Sequence, residues 1–147
     1  MELYIVLCVI VLAVVYVFYN YFKIKRMDEG TAEMAEMAGI IRSGAVEFLK
    51  TEFRTIAIVI LLAAVVFTLF IEETSGITFI MGGLMSSTVC ILGMRSATYA
   101  NVRTANKSRE SLSIGETVKV ALCGGSISGL SVQAFGMLGM VLVLIIW

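Results

Sequence analysis

Four long apolar runs, separated by stretches in which charge is concentrated, organise this chain. The first, Leu3 to Phe22, holds 20 residues without a charge. At 1.5 Å per residue it covers about 30 Å, the thickness of a bilayer's hydrocarbon core. The second runs from Thr55 to Ile71, the third from about Ile77 to Met94, and the fourth from near Val118 to Trp147. The pattern predicts an all-α, integral membrane protein in one domain (1–147), with spans at about 3–22, 55–71, 77–94 and 118–147. The first run begins behind Glu2 and is followed by Lys23, Lys25 and Arg26. A cleaved signal peptide has the opposite polarity, so an anchor is expected.

The polar stretches carry helical signals of their own. Met34, Met37, Ile41, Ala45 and Phe48 recur at helical spacing. Thr31 suits an N-cap, and Glu33 suits the positive end of a helix dipole. A helix from about Thr31, running on into the second span, is predicted. Arg95 to Lys107 lacks Gly and Pro, so the third helix is expected to project beyond its span. Ser113 to Glu116 fits a capping box and places the start of the fourth helix there.

Charge gives the orientation. All eleven basic residues fall between spans one and two or between span three and the mouth of span four. The remaining loop and the start of the chain carry only acids: Glu2, Glu72 and Glu73. The positive-inside rule then puts both basic loops in the cytoplasm of a multi-pass cell-membrane protein, with both termini outside.

Composition agrees with lipid as the solvent. Hydrophobic residues make up 59% of the chain, against roughly 45–50% in soluble domains, and mean hydropathy is +0.98. With no histidine, His-ligated metals and Ser–His or Cys–His catalytic pairs are excluded. Cys8, Cys90 and Cys123 each sit inside an apolar run and read as packed thiols. No span has an acid or base near its middle, where ion pathways usually keep one. No phosphate-binding loop, zinc motif or Cys-x-x-Cys is present. No catalytic, cofactor-binding or metal-ligating residue is therefore assigned, and no nucleic-acid partner is expected.

Two clusters are candidates for packing or binding. Gly125, Gly129 and Gly136, followed by Gly139, are expected to form a face along which helix four approaches its neighbours. Arg103, Lys107 and Arg109 could grip phosphate or lipid headgroups, but no glycine-rich cradle accompanies them, and they are read as fixing topology only.

Three stretches carry a family resemblance: Glu33 to Val59 (EMAEMAGIIRSGAVEFLKTEFRTIAIV), Gly93 to Ala105 (GMRSATYANVRTA) and Gly124 to Val132 (GGSISGLSV). In order and spacing they resemble the N-terminal quarter of the membrane-bound, ion-translocating pyrophosphatases. The resemblance implies a homodimeric pump that hydrolyses pyrophosphate with magnesium and moves protons or sodium ions. It implies that these helices belong to an outer ring around the remaining helices of the pump, and that the magnesium-binding aspartates lie elsewhere. Where the family often has an arginine before the paired glycines, this chain has Cys123. On this reading the chain is a partial product of a longer pump, inactive by itself. The alternatives are a stand-alone four-helix protein of the small multidrug transporter type, which lacks its intramembrane carboxylate here, or a structural membrane module.

Overall fold

The structure, a computed structural model, describes residues 2–146. Four helices account for nearly all of them: α1 (Glu2–Lys25), α2 (Ala32–Phe70), α3 (Glu73–Ser111) and α4 (Ile114–Ile146). Each is long and apolar enough to cross a membrane. α2 and α3 have 39 residues each, about 58 Å of helix, so both outrun a hydrocarbon core by several turns. The expected extensions are thus continuous with their spans. Met1, and Trp147 at the end of the fourth predicted span, lie outside the described residues.

The corners follow local chemistry. Thr31 caps α2, its Oγ1 accepting from the Met34 amide at 3.3 Å. Gly30 precedes it with φ +92°, a region that L side chains rarely adopt. α3 ends at Leu112, which takes a left-handed conformation (φ 48°) so that the chain can enter α4 two residues later. α4 begins just after Ser113, as the sequence predicts, but the Glu116 carboxylate points to Lys107 Nζ at 3.1 Å.

α3 lies between α2 and α4, and α1 packs on α4 with a lighter contact to α3. The α1–α4 seam has a seven-residue repeat. Ile10, Val17 and Ile24 are buried on α1, and Val120, Ile127, Ala134 and Val141 on α4. A spacing of seven keeps one edge of each helix facing the other, as in antiparallel coiled coils. Two small cores result, one around Val17, Ile24, Ala100 and Ile127, the other around Ile10, Ala134 and Val141. On the other side of α3, Gly83 admits α2: a Cβ there would fall 2.6 Å from Ile60 Cδ1. Phe67 and Phe79 meet edge to face at 4.9 Å in the same seam.

The outward faces remain apolar. Leu12, Leu61, Leu62, Leu84 and Leu144 are each at least 60% exposed. A chain that leaves this much leucine uncovered is matched to lipid or to further helices, not to water.

Candidate functional site

The polar chemistry of the molecule gathers at the end where α1 stops and α2 starts. A helix terminus leaves its last carbonyls without partners. Here the carbonyls of Lys25 and Met27 are met by Arg103 of α3, whose Nη2 and Nε donate to them at 3.2 and 3.0 Å. Its Nη1 donates to the Tyr99 carbonyl, one turn back, at 2.9 Å. The Arg103 side chain is only 4% exposed. A planar guanidinium has five fixed donors, and this geometry uses them in several directions at once.

Glu29 balances the buried charge. One carboxylate oxygen lies 2.9 Å from Arg103 Nη2, and the other accepts from Arg42 Nη2 of α2 at 2.6 Å. The hydrogen bond from Arg42 holds the Glu29 carboxyl below the usual carboxylate range; burial opposes this, and the Arg103 charge reinforces it. The Tyr99 ring completes the arrangement, with the guanidinium carbons of Arg42 and Arg103 at 4.9 and 5.3 Å from its centroid. Tyr21 of α1 meets the same ring edge to face at 6.1 Å. One acid, two arginines and one tyrosine therefore tie α2, α3 and the end of α1 together.

Asn106 extends the set by one turn of α3. It is buried, donates to Glu110 Oε1 at 3.0 Å and accepts from Arg109 at 3.1 Å. A Cβ on Gly30 would lie 2.6 Å from Asn106 Oδ1, so this loop passes α3 only because residue 30 has no side chain.

Two further ties lie toward the apolar zone. Asn20, buried on α1, donates to Ser126 Oγ of α4 at 3.0 Å. Buried Ser96 of α3 donates to the Gly124 carbonyl of α4, also at 3.0 Å. Interhelical hydrogen bonds of this kind hold membrane helices in register.

Both clusters named from the sequence have definite surroundings in the structure. Arg103 does more than mark topology: it is the buried centre of the helix ties. Lys107 and Arg109 turn to Glu116 and Asn106, so the three basic residues do not converge on one point. Gly125, Gly129 and Gly136 make no close approach: a Cβ at any of them meets nothing within 4 Å among the described residues. The α4 glycines that do are Gly124, whose Cβ would fall 2.5 Å from that of Ala100, and Gly139, facing Met85 Sδ at 3.3 Å. Gly136 instead lines an open apolar groove of about 660 Å³ between α3 and α4.

The arrangement clamps helices. No three potential metal ligands come together among the described residues. Glu29 is already committed to two arginines. The described residues therefore do not fit a magnesium site.

A family model described as inorganic H+ pyrophosphatase matches residues 11–147. The chain is 42% identical over 128 residues to a K(+)-stimulated pyrophosphate-energized sodium pump of Thermotoga maritima, covering 87% of this chain and 18% of that protein. It is 35% identical over 130 residues to a K(+)-insensitive pyrophosphate-energized proton pump 2 of Moorella thermoacetica, covering 88% and 19%. A putative K(+)-stimulated sodium pump of Bacteroides thetaiotaomicron is 33% identical over 134 residues. The chain thus spans about a fifth of the length of the curated relatives it matches. Four membrane-length helices and a match over nearly the whole sequence make this chain a member of the inorganic H+ pyrophosphatase family.

Proposed function

We propose that this chain is the N-terminal, outer-ring segment of a membrane pump that couples pyrophosphate hydrolysis to the movement of protons or sodium ions. Its own part is scaffold. The observation that carries this reading is the use made of its polar groups. Arg103, Glu29, Asn20 and Ser96 are spent on joining helices. Phosphoanhydride hydrolysis needs carboxylates that hold metal ions and orient a water. In the complete pump those groups, and the magnesium they bind, would come from helices outside this chain. The homodimer of the complete pump is likewise proposed from the resemblance alone. The lock sits at the basic end of the bundle, which the positive-inside rule places in the cytoplasm, with both termini on the opposite side.

The test is a chimera. This chain replaces the matched segment of the Thermotoga maritima pump, and the product is assayed in vesicles for pyrophosphate hydrolysis and sodium uptake. Retention of both is expected. A chimera that reaches the membrane and unfolds as cooperatively as the parent, yet hydrolyses nothing, would overturn the assignment of this segment as interchangeable scaffold.

A further inference from the structure

A cavity of about 240 Å³ opens between α1, α2 and α3 beside the ion-pair cluster, and its lining is cationic. Lys25 ends α1, Arg42 comes from α2 and Arg95 from α3, and no acidic residue shares the lining. Lys25 and Arg95 are exposed, and no carboxylate of the described residues is within 4.0 Å of either side chain's nitrogens. Arg42 has one Nη engaged by Glu29, and its guanidinium rests on the Tyr99 ring. Two like charges left uncompensated beside a third mark a place where an anion is favoured.

The rest of the wall says which anion. Tyr21 and Tyr99 bring hydroxyl-bearing rings, the amphipathic side chains that gather at headgroup level. Leu49 and Met94 line the same cavity with apolar surface. Arg95 directly follows the third apolar run, and Lys25 comes three residues after the first, so the cations stand at the boundary of the hydrocarbon zone. The volume is below the roughly 300 Å³ at which drug-sized pockets begin, a size for a headgroup and not for a whole lipid. Lysine and arginine suit phosphate oxygens as point charge and planar fork respectively.

We infer that this cavity is a binding site for a phosphate group, Lys25 and Arg95 holding the oxygens while Arg42 closes the third side. The chemistry fits the phosphodiester of an anionic lipid entering from the bilayer, or a free phosphate entering from water. The inference stands apart from the pump reading, because it concerns only residues of this chain and a membrane boundary.

The full chain, purified in dodecylmaltoside, is titrated by calorimetry with dioctanoyl phosphatidylglycerol, with inorganic phosphate, and with 1,2-dioctanoylglycerol, which lacks the phosphate. Saturable binding of phosphatidylglycerol is expected, and none of dioctanoylglycerol. The Lys25→Gln, Arg95→Gln variant should bind about ten-fold more weakly or worse, since it loses two charge-assisted contacts. Both side chains are exposed, so the variant should unfold at the parent's temperature. Lys119→Gln, which removes one charge outside the cavity, should bind like the parent. If inorganic phosphate saturates the site as tightly as the lipid, the site stands and its occupant is the free anion. No saturable binding of either probe would overturn the inference, as would equal weakening by Lys119→Gln or no weakening by the double variant.

Discussion

Arg103 of α3 donates its Nε hydrogen to the main-chain carbonyl of Met27, 76 residues earlier in the chain, at 3.0 Å. The contact joins a side chain deep in one helix to the exit of another. It satisfies an acceptor that the end of α1 leaves open. Its Glu29 partner keeps the buried guanidinium from being an uncompensated charge.

Replacing Arg103 should therefore cost more than a surface arginine would. Arg103→Ala strands two carbonyls and leaves Glu29 with one partner, and removal of one member of such a pair costs about 3 kcal/mol. Arg103→Lys should recover little, since an ammonium lacks the planar fork that lets Arg103 reach the Lys25 and Met27 carbonyls and the Glu29 carboxylate together. Unfolding midpoints in detergent, with Lys119→Gln as the surface control, check this. Equal midpoints for Arg103→Ala and Lys119→Gln would contradict the lock.

Acid should weaken the same cluster. The folded-state pKa of Glu29 lies below its ordinary 4.5. A depressed carboxylate contributes stability that is complete above the unfolded value and is lost as pH falls through the folded one. The stability difference between the parent and Glu29→Gln should thus be largest at neutral pH and shrink below pH 4.5. Thermal unfolding of both proteins from pH 7 down to pH 3 tests it, and a difference that grows on acidification would exclude this role for Glu29.

Orientation is open to labelling. Leu112, at the α3–α4 corner, is 89% exposed, and Glu72, at the α2–α3 corner, is exposed at the other end of the bundle. With the basic end in the cytoplasm, a cysteine at Leu112 should react with an impermeant maleimide only in broken cells, and one at Glu72 in intact cells. The reverse pattern would invert the proposed topology.

Activity of the isolated chain should be nil. Glu29 is held by two arginines, and no three potential ligands converge among the described residues to place magnesium against a phosphate. Magnesium-dependent release of phosphate above a detergent blank would show that an active site has been missed.

Local signals in the sequence located the helices well. The Thr31 cap, the continuity of α2 and α3 and the α4 start near Ser113 depend on neighbours within a few residues, and such signals are visible one segment at a time. Arg103 was not legible. A basic residue beyond a span looks the same whether it is solvated or buried, and its acceptors are 76 and 78 residues away. The seam of Ile10, Val17 and Ile24 was hidden for a different reason. In lipid both sides of a helix are apolar, so the seven-residue repeat has no polar background to stand out against. Helix four shows the same difficulty in miniature. Gly124 and Gly125 are adjacent, but 3.6 residues per turn separates them by about 100° around the axis. Only the first meets α3.

That rotation makes the last prediction. Gly124→Ala places a Cβ 2.5 Å from the Ala100 Cβ, and neither group is the flexible end of a long side chain. Overpacking of this kind costs about 1–3 kcal/mol. A Cβ at Gly129 meets nothing within 4 Å among the described residues, and Gly129→Leu should leave the isolated chain within about 0.5 kcal/mol of the parent. Leu130, packed on the core around Ile127, should lose about 2 kcal/mol on truncation to Ala. In the chimera the order should change, because a face open in four helices becomes an interface when more helices cover it. Gly129→Leu should then lower the unfolding midpoint and the rate of hydrolysis together, as a side chain wedged between closely packed helices forces them apart. If Gly129→Leu is neutral in both settings, the Gly125, Gly129 and Gly136 face looks onto lipid in the pump as well, and the small residues there serve no contact.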